Sequence, residues 1–237
     1  MNRALAIIPA RKGSKRVPNK NIKEFHGKPL VAWSIDAAQR CNLDMDVVVS
    51  TDSQEIADIS IAHGAEVPFL RPAEFSSDTS PTFDALKFSI DELIKMGRYY
   101  DYLVLLQPTS PLRQPWHIDG AFGVMLKNHA RTVISVCEIE HPVEWTLTLP
   151  EDNCIDSYIQ ESFDNFQKRG QDFPKRYRMN GAVSCSPMEA FYECTGTIGL
   201  EGNYAYIMDK KYSYDINDIY DFEMAELQMK KILEASD

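Results

Sequence analysis

Apolar residues follow two alternating rhythms along this chain. Short runs, apolar at almost every position, occupy residues 5–8, 46–50, 67–70, 102–106 and 132–137. Between them lie stretches in which apolar residues recur every three or four positions. One covers residues 29–40, with Leu30, Trp33, Ile35, Ala37 and Ala38 on one side. Another covers 82–96, with Phe83, Leu86, Ile90, Leu93 and Ile94, and a third 117–128. Asp52 and Glu55 resemble a capping box opening a further helix to about His63, with Gly64 closing it. Unbroken apolar runs predict strands covered on both faces, and the other spacing predicts amphipathic helices. Their alternation predicts an α/β fold with a mostly parallel, Rossmann-like sheet and helices on both faces. Such sheets take ligands at the carboxyl ends of their strands. Three polar loops leave strands at that end: residues 11–21, 50–52 and 107–113.

The rhythm breaks after Glu138. Residues 138–178 are polar, aromatic and punctuated by proline, and they predict an ordered excursion from the core. Strands resume over 180–185 and 204–208. A closing helix over 218–235 buries Phe222, Ala225, Met229, Ile232 and Leu233. With no internal repeat and no flexible linker, residues 1–237 read as a single domain carrying one projection.

Composition narrows the class. Hydrophobic residues make up 44% of the chain and charged residues 25%, which is enough to build a real core. No apolar run approaches the ~18 residues that span a bilayer. The short apolar start is followed by basic residues and lacks a small-residue cleavage site, so it does not read as a secretory signal. The five cysteines are scattered without a C-x-x-C pair, which predicts reduced thiols in a cytoplasmic protein and no zinc site. A formal net charge of -10 speaks against a nucleic-acid-binding face.

Against that acidic background one loop is cationic. It carries Arg11, Lys12, Lys15, Arg16 and Lys20, with Gly13 among them, directly after the first apolar run. Cations and a glycine at the end of a buried strand suit a small polyphosphate. Arg11 can fork onto two phosphate oxygens, and Lys15 and Lys20 act as mobile point charges. Neither the Walker A pattern nor G-x-G-x-x-G is present. A second candidate is Asp215, which ends a strand-like segment where a carboxylate can meet a metal ion. Asp218 and Asp52 are explained as helix caps. The five histidines show no metal-like clustering, and Ser14 lacks the partners of a nucleophile.

The stretch IIPARKGSKRVPNKNI resembles the opening of the CMP-N-acetylneuraminate cytidylyltransferase family, which includes enzymes for legionaminic and pseudaminic acids. LLQPTSPLR, YRMNGAVS and YSYDINDIYDF have counterparts there in the same order, so the likeness covers most of the chain. It implies a nucleotidyltransferase that moves CMP from CTP to the anomeric hydroxyl of a nine-carbon 2-keto sugar acid, with Mg2+ as cofactor and pyrophosphate as by-product. It also implies a homodimer joined through a projection resembling residues 138–178. By the same resemblance, Arg11, Lys15, Lys20 and Asn21 match positions that hold the triphosphate and order the first loop. Arg71, Ser80 and Thr82 match the surroundings of cytosine and ribose, and Gln107 matches a glutamine beside the sugar. Arg178 and Asn180 match the R-x-N-G-A pattern near sugar and nucleotide. Asp215 and Asn217 match the two metal-binding positions of a D-I-D motif, although Asn217 lacks the charge. Arg169 matches a family arginine before L-P with a register shifted by about one residue. A CMP-Kdo synthetase, another sugar nucleotidyltransferase and a non-catalytic nucleotide-binding module are the alternatives. Gln107-Pro108-Thr109-Ser110-Pro111, in place of an acidic loop of the Q-G-D-E-P type, favours the nine-carbon acids over Kdo.

Overall fold

Every residue from Ala4 to Ile8 is buried, which is why this stretch lacks the alternation of a half-exposed strand. The computed structural model describes residues 3–77 and 80–235. It places strand β1 (Ala4–Pro9) inside a six-stranded sheet. A two-residue hairpin, β2 (Glu24–Phe25) with β3 (Lys28–Pro29), leads into helix α1 (Leu30–Gln39). Then follow β4 (Met45–Ser50), α2 (Gln54–Ala62), α3 (Thr82–Lys95), β5 (Tyr102–Leu105), α4 (Pro115–Asn128) and β6 (Thr132–Glu138). The projection carries α5 (Asp156–Phe166), and β7 (Tyr177–Pro187) returns to the sheet. Short α6 (Met188–Tyr192), edge strand β8 (Asn203–Ile207) and α7 (Ile219–Glu234) complete the chain.

The sheet order is β4-β1-β5-β7-β6-β8, and only β7 runs against its neighbours. Side chains of β1 point alternately into two layers. Ala6 and Ile8 pack with Val31 and Ile35 of α1 and Ile118 of α4, while Leu5 and Ile7 pack with Leu86, Ile90 and Leu93 of α3. A third cluster joins α7, through Phe222, Ala225 and Met229, to Phe25, Leu30 and Val17. Because β1 lies between β4 and β5, the carboxyl ends of three adjacent parallel strands open side by side. That is the crevice in which such sheets bind ligands.

Two predicted features differ. Residues 67–70 do not form a strand. Among the described residues the outer edge of β4 pairs only with Glu66, whose N–H donates to the Val47 carbonyl and whose carbonyl accepts from Val49. Pro68 has no N–H to continue a ladder, and the chain turns inward until Arg71 N–H donates to the Thr51 carbonyl. The Asp52–Glu55 capping box is also absent. Ser53 is the N-cap of α2, and Asp52 faces away from the helix, as described below. Asp218, in contrast, caps α7 as predicted by accepting from Asp221 N–H, and Asp221 reciprocates.

The strand predicted at 180–185 is longer and irregular. Between Ile134, opposite Ser184, and Val136, opposite Met179, β6 advances by two residues and β7 by five. The surplus is a bulge over residues 180–183, and Gly181 inside it has φ +69°. Side chains replace the missing ladder. Ser135 Oγ donates to Asn180 Oδ1 at 2.6 Å and accepts from Val183 N–H at 2.8 Å. Asn180 Oδ1 also accepts from Ala182 N–H. Ser135→Ala leaves two buried polar groups short of a partner, a cost of about 1–3 kcal/mol. It is expected to lower the urea midpoint without changing the slope; a midpoint equal to the parent's would contradict this account.

Candidate active site

The cationic loop is pinned at four points. Val17 is buried in the third core cluster. Asn21 Nδ2 donates to the Arg11 carbonyl at 2.8 Å, closing the loop on itself. Lys12 N–H donates to Asp52 Oδ1 at 2.9 Å. Lys20 Nζ donates to the Ile216 carbonyl at 2.8 Å, across 196 residues of sequence. Asp52, which the sequence assigned to a helix cap, thus ties the end of β4 to the end of β1. The Thr51 hydroxyl accepts from Ser53 N–H just before the helix, and among the described residues no side chain caps the N–H groups of its first turn. A carboxylate one residue before an N-cap residue gives no signal in the sequence that it serves a neighbouring loop.

Arg11, Lys20, Asn21, Arg71, Ser80, Thr82 and Gln107 line one cleft of about 320 Å³, together with Gly13, Phe75 and Thr109. Seven of the sequence candidates therefore converge although they come from four segments of the chain. Lys15 stands on the exposed outer part of the same loop. Arg71 is buried and held by serines: Nε donates to Ser76 Oγ and Nη1 to Ser50 Oγ. Burial lowers its pKa, Asp52 opposes that, and Arg11 adds to it. Lys20 is lowered chiefly by burial, with Asp215 pulling the other way. Cations brought together in a partly dry cleft create a positive potential that favours an anionic ligand.

Arg178, Asp215 and Asn217 line a second hollow of about 730 Å³ with Glu138, His141, Lys210 and Lys211. Lys20 joins the two spaces, since its carbonyl partner Ile216 follows Asp215. The Ile216 N–H donates to the Thr109 carbonyl, so the Asp215 turn is stapled to both polar loops. Asn217 Nδ2 donates to Asp215 Oδ2 at 3.1 Å and to the Asp215 carbonyl. Its amide nitrogen, not its oxygen, meets the carboxylate. Among the described residues no group of three His, Cys, Asp or Glu side chains gathers as a metal cage. One carboxylate beside a cationic loop is a donor set that fits Mg2+, which is commonly held by one or two carboxylates, water and substrate phosphates.

Two candidates stand elsewhere. Asn180 is buried, and its carboxamide is occupied by Ser135, Ala182 N–H and Ser213 Oγ. It organises the bulge and the start of the Asp215 turn from within. Arg169 lies on the exposed projection, where it pairs with Asp172 and lines neither hollow. Gln107 also borders a small apolar hollow of about 130 Å³ formed by Leu105, Ile134, Met179, Val183 and Ile198.

The family model described as cytidylyltransferase matches residues 5–236. The chain belongs to the cytidylyltransferase family. Over 226 residues it is 30% identical to the pseudaminic acid cytidylyltransferase of Campylobacter jejuni strain 81-176, covering 95% of this chain and 96% of that one. It is 38% identical over 184 residues to the CMP-N,N'-diacetyllegionaminic acid synthase of Legionella pneumophila, covering 76% of each. The N-acylneuraminate cytidylyltransferase of Escherichia coli O18:K1:H7 is 34% identical over 231 residues, 96% of this chain and 52% of that longer protein. The fold is shared with CMP:2-keto-3-deoxy-manno-octonic acid synthetase complexed with CTP, at a TM-score of 0.71 and 14% identity, over 98% of this chain and all of that one. The cytidylyltransferase is thus a nucleotidyltransferase enzyme and not a passive nucleotide-binding module. No helix among its described residues is long and apolar enough to cross a membrane.

The Asp52 contact generates a prediction. Asp52→Ala frees the Lys12 N–H and removes a charge-assisted bond, so amide exchange at Lys12 and its loop neighbours is expected to accelerate about tenfold. Hydrogen exchange with peptide-level readout checks this; unchanged loop protection would mean that Asp52 does not hold the loop.

Proposed function

We propose that this cytidylyltransferase transfers CMP from CTP to the anomeric hydroxyl of a nine-carbon 2-keto sugar acid of the pseudaminic, legionaminic or sialic type, releasing pyrophosphate. The observation that carries this reading is the junction at Lys20, where the cationic loop meets the Asp215 turn at the carboxyl end of the sheet. The relatives' activities on three such acids support it.

In this reading the triphosphate lies against Arg11, Lys15 and Lys20, with Asn21 keeping the loop closed. The nucleoside faces Arg71, Ser80 and Thr82. The sugar acid lies beside Gln107, with its apolar substituent toward the hollow of Leu105 and Ile134, and Arg178 guards the side nearer Asp215. The anomeric oxygen attacks the α-phosphorus in line. A new P–O bond forms as the bond to the pyrophosphate oxygen breaks, and the hydroxyl proton passes to a phosphate oxygen of the leaving pyrophosphate. Such transfers need little covalent help from a protein, and positioning and charge stabilisation dominate. Arg11, Lys15 and Lys20 neutralise the charge that grows on pyrophosphate. Asp215 would hold Mg2+, with Asn217 beside it, and the bound ion would supply further charge neutralisation and Lewis acidity.

We further propose a homodimer. Helix α5 buries none of its residues within the chain, and Phe163, Phe166, Ile155 and Leu149 on the projection are exposed. A second copy of the chain would cover them and could bring Arg169 into use. The eight-carbon acid Kdo serves as the competing substrate, because the CTP-bound structural neighbour is named for it.

Incubation with CTP, Mg2+ and a panel of nine-carbon acids and Kdo is expected to release pyrophosphate with a nine-carbon acid. Release with Kdo alone would overturn the choice of acid, and release with none would overturn the reading. Arg11→Ala is expected to reduce kcat/KM about 10²–10³-fold, the scale of losing one transition-state charge partner, while the circular dichroism stays that of the parent. An active Arg11→Ala enzyme would reject its role. Phe163→Asp is expected to convert a dimer to a monomer by light scattering on a sizing column. A parent that is already monomeric would rule out the homodimer.

A further inference from the structure

Arg113 is the most deeply buried arginine among the described residues, with 2% of its surface exposed. Burial pushes its pKa down to about 9, so it remains a cation at neutral pH. Its partners are uncharged. Nη1 donates to the Ala182 carbonyl at 2.7 Å and to the Gln107 carbonyl at 3.2 Å, and Nη2 donates to Ser34 Oγ. Nε has no partner among the described residues. An interior cation without a carboxylate is costly, and an apolar side chain would fill the volume at less expense.

What this arginine spans explains its presence. The antiparallel pairing of β5 and β7 runs through Leu103↔Ser186, Val104↔Cys185 and Leu105↔Ser184. Continuing that register sets Gln107 opposite Ala182, the pair whose carbonyls Arg113 holds. The guanidinium is therefore inserted where the two strands part, in place of the ladder. Two residues away along β7, Ser110 Oγ donates to the Asn180 carbonyl at 3.1 Å. Loop 107–113 thus grips the bulge on both sides of Gly181. The Gln107 side chain lies against Gly181 so closely that a Cβ there would sit 2.9 Å from Gln107 Oε1. Ser34 reinforces the clamp by donating to the Gln107 carbonyl at 3.4 Å.

We infer that Arg113 is a positioning residue that sets the Gln107 carboxamide against Gly181, and through it the fit of the sugar acid but not of the nucleotide. This rests on the reading of Gln107 as the residue beside the sugar acid. The nucleotide contacts proposed for Arg11, Lys15 and Arg71 come from other strand ends, and Lys20 meets loop 107–113 only through Ile216, whose N–H donates to the Thr109 backbone carbonyl and not to a carbonyl that Arg113 holds. A purely structural arginine would affect both substrates alike.

The test combines Arg113→Met, Arg113→Lys, Ser34→Ala and Gln107→Ala, each alone, with Arg113→Met also in the Gln107→Ala background. CTP affinity is measured by titration calorimetry, and the sugar-acid KM by pyrophosphate release. Arg113→Met is expected to raise the sugar-acid KM about tenfold or more, as ångström-scale misplacement does, with the CTP Kd within about twofold of the parent. Arg113→Lys, which can reach one carbonyl but not bridge two, and Ser34→Ala are expected to give smaller rises of the same kind. In the Gln107→Ala background the effect of Arg113→Met is expected to disappear, since residues acting through one another are not additive. Equal losses for CTP and sugar acid, or a full Arg113→Met effect without Gln107, would overturn the inference. If Arg113→Met does not fold, an unchanged sugar-acid KM in both Arg113→Lys and Ser34→Ala would overturn it equally. A parent enzyme that turns over no sugar acid would instead remove the reading beneath it, and an active parent indifferent to Gln107→Ala would remove the role of Gln107.

Discussion

A backbone that leaves a sheet inside a protein must find new partners for its N–H and C=O groups. That constraint governs β7 between Asn180 and Val183, and the site is arranged around its solution. On the β6 side, Ser135 and the Asn180 carboxamide take up the Val183 and Ala182 N–H groups. On the β5 side, Ser110 and Arg113 take up the Asn180 and Ala182 carbonyls. Asn180 Nδ2 continues the network to Ser213 Oγ, two residues before Asp215. One set of obligatory bonds thus fixes the floor beside Gln107 and the approach to Asp215 together. A site on loops gains rigidity this way without losing the openness that loops give to ligands.

The cationic loop solves the opposite problem. Its charges repel one another, and an isolated basic loop would spread into solvent. Val17 anchors it to the core, Asn21 closes it, Asp52 holds one backbone N–H, and Lys20 is drawn to the Ile216 carbonyl near Asp215. Asp52 also sits close enough to Arg71 to offset part of the burial cost there. The loop is therefore preorganised by the burial of Val17 and by bonds to its backbone from Asn21 and Asp52. Preorganised charge is more effective on a developing oxyanion than charge that must first rearrange. The same arrangement makes the loop dependent on the turn at residues 215–217, so two segments distant in sequence are set by one lysine.

Much of this was legible in the residues alone. Strands and helices of the first half were readable because a sheet buried on both faces writes itself as unbroken apolar runs. The closing helix and its Asp218 cap were readable from local spacing. Residues 67–70 misled because an apolar run beside an edge strand looks like a strand, while Pro68 and the inward turn to Arg71 decide otherwise. Asp52 misled because a carboxylate near a helix start has two uses that only tertiary contacts separate. Asn180 was found as a motif residue, but its burial and its hydrogen-bond partners were not readable. They depend on Ser135 and Ser213, which are unremarkable in sequence. Arg113 stood in a motif with nothing to say that it would be buried without a counter-charge.

The two halves of the site are built differently, and this bears on what the fold can vary. The cationic side rests on the ends of β1, β4 and β5, which are adjacent parallel strands. A structural neighbour at 14% identity shares the fold over the whole of its length. The side beside Gln107 rests on an irregular strand, on side chains that replace a ladder, and on a hollow rimmed by Met179 and Ile198. A bulge tolerates changes in its rim residues as long as its backbone groups stay paired, because the side chains facing the hollow are not the ones that satisfy them. Ser135, Ser110, Asn180 and Arg113 supply the pairing, while Met179, Thr197 and Ile198 supply the surface. Separating support from surface lets the hollow beside Gln107 change its shape while the cationic cleft stays where the parallel strands put it.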